Sequence, residues 1–107
     1  MPVTPNKKIV VYVPLTHTDI VREAIGMAGG GTLGNYSFCS FSIRGVGRFR
    51  PDEGANPHIG SVGNLESVEE ERIEVTCNAD LVDVVINAIK DVHPYEEVAL
   101  DVYSLDN

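Results

Sequence analysis

The stretch Arg72-Ile73-Glu74-Val75-Thr76-Cys77-Asn78-Ala79-Asp80-Leu81 decides the fold. From Arg72 to Cys77 polar and apolar residues alternate, the period of a strand with one buried face. Asn78 then offers a helix cap, and Leu81, Val85, Ala88, Ile89 and Val92 fall on one face at helical spacing. The many β-branched residues here lower helical propensity, but spacing, cap and length together predict a helix. Pro94 ends it, and alternation from Val98 to Tyr103 predicts a last strand.

The preceding part of the chain repeats the plan. Lys8-Ile9-Val10-Val11-Tyr12-Val13, closed by Pro14, predicts a central strand. Thr16 or Thr18 can cap a helix, with Asp19 and Glu23 near its positive end. Ile20, Val21, Ala24, Ile25 and Ala28 supply its apolar face, and Gly29-Gly30-Gly31 stops it. Strict alternation in Cys39-Ser40-Phe41-Ser42-Ile43-Arg44 predicts a second strand with Cys39, Phe41 and Ile43 facing the core. Gly45-Val46-Gly47 is expected to turn or bend the chain, and Arg48-Phe49-Arg50 to continue as an edge strand. Pro51 to Leu65 reads as a fifteen-residue loop, within a long irregular section at about 45–66.

Strand, helix, strand, strand, helix, strand is the order of a ferredoxin-like plait (βαββαβ), an α+β fold. It implies a four-stranded, mainly antiparallel sheet with both helices on one face. The other face has no cover within the chain, and Tyr12, Tyr103 and Phe38 are expected there. Such a face predicts self-association.

Composition narrows the function. The 107 residues are 43% apolar and suit one domain, 1–107, with its own core. Eight basic residues against sixteen acidic ones give a net charge of −8, which repels phosphate backbones and anionic lipid. No nucleic-acid or membrane partner is therefore expected. No stretch is long and apolar enough to span a bilayer, and Met1–Pro5 lacks the start of a signal peptide, so a cytoplasmic location is expected. Charge is uneven: residues 1–65 carry +2 and residues 66–107 carry −10. Arg44, Arg48 and Arg50 lie within seven positions that hold no acid, and all ten glycines fall between Gly26 and Gly63.

Catalytic and metal patterns are sparse. Cys39 and Cys77 form no C-x-x-C and read as small buried hydrophobes. Ser37, Ser40 and Ser42 lack a G-x-S-x-G elbow, and Gly29–Gly34 follows a helix rather than a strand, unlike a phosphate-binding loop. No metal site is assigned; His17, His58 and His93 are the nitrogen ligands a composite site would use, with Glu96 or Glu97. Glu69-Glu70-Glu71 reads as the solvated start of the third strand. His93-Pro94-Tyr95-Glu96-Glu97 is a helix stop that can also line a cleft beside the arginines.

Four ordered motifs carry a family resemblance. They are Gly34-Asn35-Tyr36-Ser37-x-Cys39-Ser40-Phe41, Gly47-x-Phe49-x-Pro51-x-x-Gly54-Ala55-Asn56-Pro57-x-Ile59-Gly60, Glu66-x-Val68-x-Glu70-x-Arg72-Ile73-Glu74, and His93-Pro94-Tyr95-Glu96-Glu97-x-Ala99-x-Asp101-x-Tyr103. Together, over about Ile9 to Leu105, they resemble the domain inserted in Nif-three-like (NGG-one-interacting-factor) proteins, here as a stand-alone chain. That domain is similar to the PII and CutA proteins, which implies a plait associating as trimers through the sheet. It also implies that the loop at about 45–66 engages partners. The two-metal site of full-length members is built from flanking halves, so the resemblance transfers no metal ligand to this chain. Arg48 stands where threonine is often found and adds a positive charge.

The expectation is a non-enzymatic, homo-oligomeric module, a trimer by resemblance, that binds a small anionic ligand or a protein partner and needs no cofactor. Arg44, Arg48 and Arg50 would supply charge-assisted donors, Asn35, Tyr36 and Asn56 neutral contacts, and His93, Tyr95 and Glu96 the opposite wall. The alternatives are a CutA-like divalent-metal binder and an accessory part of a metal-dependent hydrolase.

Overall fold

The computed structural model describes residues 5–106. β1 (Lys7–Pro14) leads through one 3-10 turn into α1 (Thr18–Met27); β2 (Phe41–Phe49) and β3 (Glu66–Cys77) follow. A second 3-10 turn opens α2 (Val82–Val92), and β4 (Leu100–Ser104) closes the order. The strands form one antiparallel sheet in the order β2-β3-β1-β4, which is the plait expected from the sequence. Ile9, Val11 and Val13 of β1 and Ile73, Val75 and Cys77 of β3 pack against Val21 and Ile25 of α1 and Val85 and Ile89 of α2. Each of these helical pairs is four residues apart, so one stripe per helix enters the core.

The opposite sheet face carries the alternate residues. Row by row it reads Phe41–Glu74–Val10, Ile43–Arg72–Tyr12 and Gly45–Glu70–Pro14 across β2, β3 and β1. Glu74 is shared there by Lys8 at 3.2 Å and Arg72 at 3.0 Å. β1 pairs with β3 only as far as Glu70, whereas β2 follows it to Glu66. The end of the β2–β3 ribbon therefore extends past the sheet, consistent with overall dimensions of 52 × 24 × 23 Å.

Several expectations are corrected. Phe41 and Ile43 do not face the core; they are 62% and 51% exposed. Cys39 precedes the strand and is only partly buried. Alternation in an edge strand states that two faces differ, not which one is inside. Here the polar face wins the helix side because Arg22 of α1 reaches Ser42 at 3.4 Å and Glu71 at 2.7 Å. Gly45-Val46-Gly47 makes no turn, and β2 runs through it to Phe49; the irregular connection is therefore 50–65 rather than 45–66. The triple glutamate lies inside β3, with Glu70 buried and Glu71 paired to Arg22. Phe38 leaves the open face altogether, because its ring packs on Gly26 of α1, where a Cβ would collide with it. Ile20 is exposed on α1. Neither helical segment takes the side-chain cap expected from Thr16, Thr18 or Asn78; the 3-10 turns begin after Pro14 and Asn78 instead.

Candidate functional site

The sharpest local geometry follows α2. His93 leaves helical geometry (ψ 135°) while its N–H still bonds Ile89 O at 2.9 Å, and Pro94 prevents another turn. The Tyr95 N–H donates to His93 Nδ1 at 3.1 Å, so Nδ1 carries a lone pair and Nε2 carries the proton. Nε2–H then donates to Tyr12 O at 2.8 Å. Both ring nitrogens are thus spent on holding the chain after α2 against β1. Burial pushes the His93 pKa below its ordinary value, aided by the nearby His17 and His58 and opposed by the Tyr12 carbonyl and Glu70.

This pivot aims Tyr95 at the sheet. Its hydroxyl donates to Glu70 Oε2 at 2.9 Å, and its ring lies between His93 and Phe49 at centroid distances of 4.8 and 6.4 Å. Burial, with the hydrogen bond to Glu70, raises the Tyr95 pKa and keeps the phenol protonated. Glu70 is 8% exposed, and its carboxylate lies over Gly47, where a Cβ would overlap it. One residue on, Glu96 Oε1 accepts the Asn56 N–H at 2.8 Å, tying the 50–65 connection to the same segment. That connection closes on itself through Gly63 N–H to Pro51 O at 2.8 Å.

Between these parts lies an open cavity of about 810 Å³. Its floor is the uncovered sheet face at Tyr12, Ile43, Gly45, Glu70 and Arg72. Phe49, Pro51, Ala55, Pro57 and Ile59 form one wall, and Tyr95, Glu96, Glu97 and Ala99 the other. The walls are mostly apolar with a few polar groups, the usual make-up of a small-molecule site.

Of the residues singled out in the sequence, Arg44, Arg48, Arg50, Tyr95 and Glu96 border the cavity. His93 supports it from behind, and Asn56 joins through its backbone. Arg44 and Arg48 pair with Glu71 and Ser67, which places them on the other side of the ribbon from Ile43. Arg50 Nε is held by Asp52 at 2.9 Å. Asn35 and Tyr36 lie apart, in the turn closed by the Leu33–Tyr36 bridge, and do not line the cavity. Tyr12, Ile43, Glu70 and Arg72 were missed. The signal for both Glu70 and Arg72 was their place in the alternating motif Glu66-x-Val68-x-Glu70-x-Arg72-Ile73-Glu74, which sets them on the face away from the core.

His58 borders the cavity, with the His17 ring 6.0 Å and the Tyr95 ring 6.2 Å away between centroids. Among the described residues, no group of three or more histidine, cysteine, aspartate or glutamate side chains gathers to hold a metal ion. No helix among them is long and apolar enough to cross a membrane.

No family model matches the chain. It is 53% identical over 100 residues to a GTP cyclohydrolase 1 type 2 homolog of Halalkalibacterium halodurans, covering 94% of this chain and 27% of that protein. The Bacillus subtilis protein of the same name is 49% identical over 102 residues, covering 95% and 27%. The chain thus spans about a quarter of the length of these curated relatives. Among solved structures, a Bacillus cereus protein related to NIF3 superposes with a TM-score of 0.84 at 51% identity, over 100% of this chain and 28% of that one. The PII-like protein CutA from Nostoc matches with a TM-score of 0.68 at 17% identity, over 94% and 82%. At that identity the likeness is one of fold.

Proposed function

We propose, from the premise that this chain is the counterpart of the CutA-like domain of NIF3-related proteins, that it is a non-enzymatic binding module whose cavity takes up a small anionic molecule. One observation carries the reading: a cavity of about 810 Å³ on the uncovered sheet face, walled on two sides by segments that Tyr95 and Glu96 fasten in place. Preformed walls lower the ordering cost of binding. The relatives' name refers to a GTP cyclohydrolase. Within such a longer protein, the domain's role in this reading is to hold a ligand.

The exposed Phe41, Ile43 and Tyr103 support self-association through the same face, with the cavity at the seam between copies and a trimer as the expected assembly. Light scattering at micromolar concentration tests this; a lone folded chain would remove the seam.

Gly45 permits a direct test of binding. A Cβ there meets nothing within 4 Å, so a side chain can leave the backbone at this position without a clash, and Gly45→Phe directs its ring into the cavity. Calorimetry with 2-naphthoate is expected to show binding to the native chain and a loss of at least about tenfold in G45F. No binding, or binding untouched by G45F, would overturn the reading.

A further inference from the structure

We infer that the occupant of the cavity is a flat apolar molecule bearing a carboxylate or phosphate, and that Arg72 anchors its anionic end. This deepens the binding reading above and rests on it.

The placement of Arg72 comes first. It stands in the middle of the cross-strand row Ile43–Arg72–Tyr12, with an aliphatic side chain on one flank and an aromatic ring on the other. Its guanidinium carbon is 6.0 Å from the Tyr12 ring centroid. A cation in such a row is bordered by apolar surface on both sides. The adjacent row begins with Gly45, whose open space leaves room for a planar body beside Ile43.

The second observation concerns its donors. Arg72 Nε is buried and makes no hydrogen bond. It lies 3.0 Å from Glu74 Oε2 in an ionic contact. Glu74 is also the partner of Lys8 at 3.2 Å, so two cations share one carboxylate. With Nε buried against Glu74, the donors that Arg72 can offer on the cavity floor are its terminal Nη groups, which make no side-chain hydrogen bond among the described residues.

The other charges at the cavity are largely engaged. Glu70 accepts the Tyr95 hydroxyl, Glu96 accepts the Asn56 amide, and Asp52 holds Arg50; Glu97 also borders the cavity. Arg44 and Arg48 lie in register with the far side of the ribbon. The donor left for a ligand on the floor is the guanidinium of Arg72, whose planar fork suits a carboxylate or phosphate at two points. The apolar surface on either side then selects a body that prefers to leave water.

The experiment compares 2-naphthoate, 2-naphthyl phosphate, neutral 2-naphthamide and inorganic phosphate by calorimetry on the native chain and on Arg72→Gln and Arg72→Lys. Native chain is expected to bind both aryl anions at least about tenfold tighter than the amide or inorganic phosphate. R72Q should bring the aryl anions down to the affinity of the amide, and R72K should recover only part of the preference. Amide and naphthoate binding equally well would overturn the anionic end while leaving the cavity reading intact. Inorganic phosphate binding as tightly as the aryl phosphate would overturn the apolar body. A preference that survives R72Q would remove Arg72 as the anchor. If no probe binds, the cavity reading falls as well. The native-chain comparison requires no variant to fold, and an amide NMR spectrum confirms the fold of each variant.

Discussion

The Tyr95 hydroxyl donates a 2.9 Å hydrogen bond to Glu70 Oε2, joining the segment after α2 to the middle of β3, twenty-five residues away in sequence. Neither group is freely solvated, so the contact has no equivalent in water. Tyr95→Phe leaves a buried carboxylate short of a donor and should cost about 1–3 kcal/mol. Glu70→Gln keeps an acceptor oxygen and should cost less. Urea unfolding of both variants gives the comparison; equal losses would show that the hydroxyl is not what stabilises this contact.

Gly45 and Gly47 are two residues apart on one strand yet should respond in opposite ways to alanine. At Gly47 a Cβ overlaps the Glu70 carboxylate, which Tyr95 holds in place, whereas at Gly45 it meets open space. Gly47→Ala should destabilise by about 1–3 kcal/mol, and Gly45→Ala should be neutral or stabilise by a few tenths, roughly the strand preference of alanine over glycine. Thermal unfolding with matching signs at the two positions would contradict this packing.

Acidification should weaken the fold through His93. Its pKa is lowered by burial in the folded state, so below the ordinary value of about 6.5 the unfolded chain takes up the proton first. The contribution is fully present above about pH 6.5 and is lost as pH falls towards the folded value. Native chain should therefore lose stability between about pH 7 and pH 5, with a smaller loss in His93→Gln. Parallel pH profiles for the two proteins would exclude His93 as the source.

Arg22 bridges α1 to the polar side of the ribbon, bonding Glu71 at 2.7 Å and also contacting Asp19 and Ser42. The Glu71 side chain is largely buried, unlike that of Asp19. Arg22→Ala should cost about 1–3 kcal/mol, nearly all through Glu71, because removing one partner strands the other. A double-mutant cycle with Glu71→Gln should show the coupling, and a cycle with Asp19→Asn should show little.

Those contacts also explain what the sequence could and could not convey. β1, β3 and α2 were legible because Ile9, Val11 and Val13, Ile73, Val75 and Cys77, and Val85 and Ile89 repeat at the period of their elements and all reach one core. β2 was legible as a strand but not in orientation: which side of Phe41 and Ile43 is inside depends on Arg22, in the preceding helix, claiming Ser42 and Glu71. Half of the site was visible in His93-Pro94-Tyr95-Glu96, since proline after a helix forces a change of direction. The other half depends on strand register. Only pairing in the sheet brings Arg72 between Ile43 and Tyr12, or Gly47 beneath Glu70. The loop arginines drew attention by clustering in the chain, whereas Arg72 looked like one alternating polar residue among several.

The stretch of β3 from Glu66 to Glu69 has β2 as its sole neighbour, whereas Glu70 to Glu74 is flanked by β2 on one side and β1 on the other. Amide protons at that end should therefore exchange with deuterium sooner than those beneath the helices, since local opening there breaks one ladder rather than two. A molecule gripping Phe49 and Pro51 would bind the closed form and slow exchange in the ribbon before it slows exchange anywhere else. Deuterium uptake at the ribbon tip thus becomes a gauge of cavity occupancy, readable before the natural occupant has been identified.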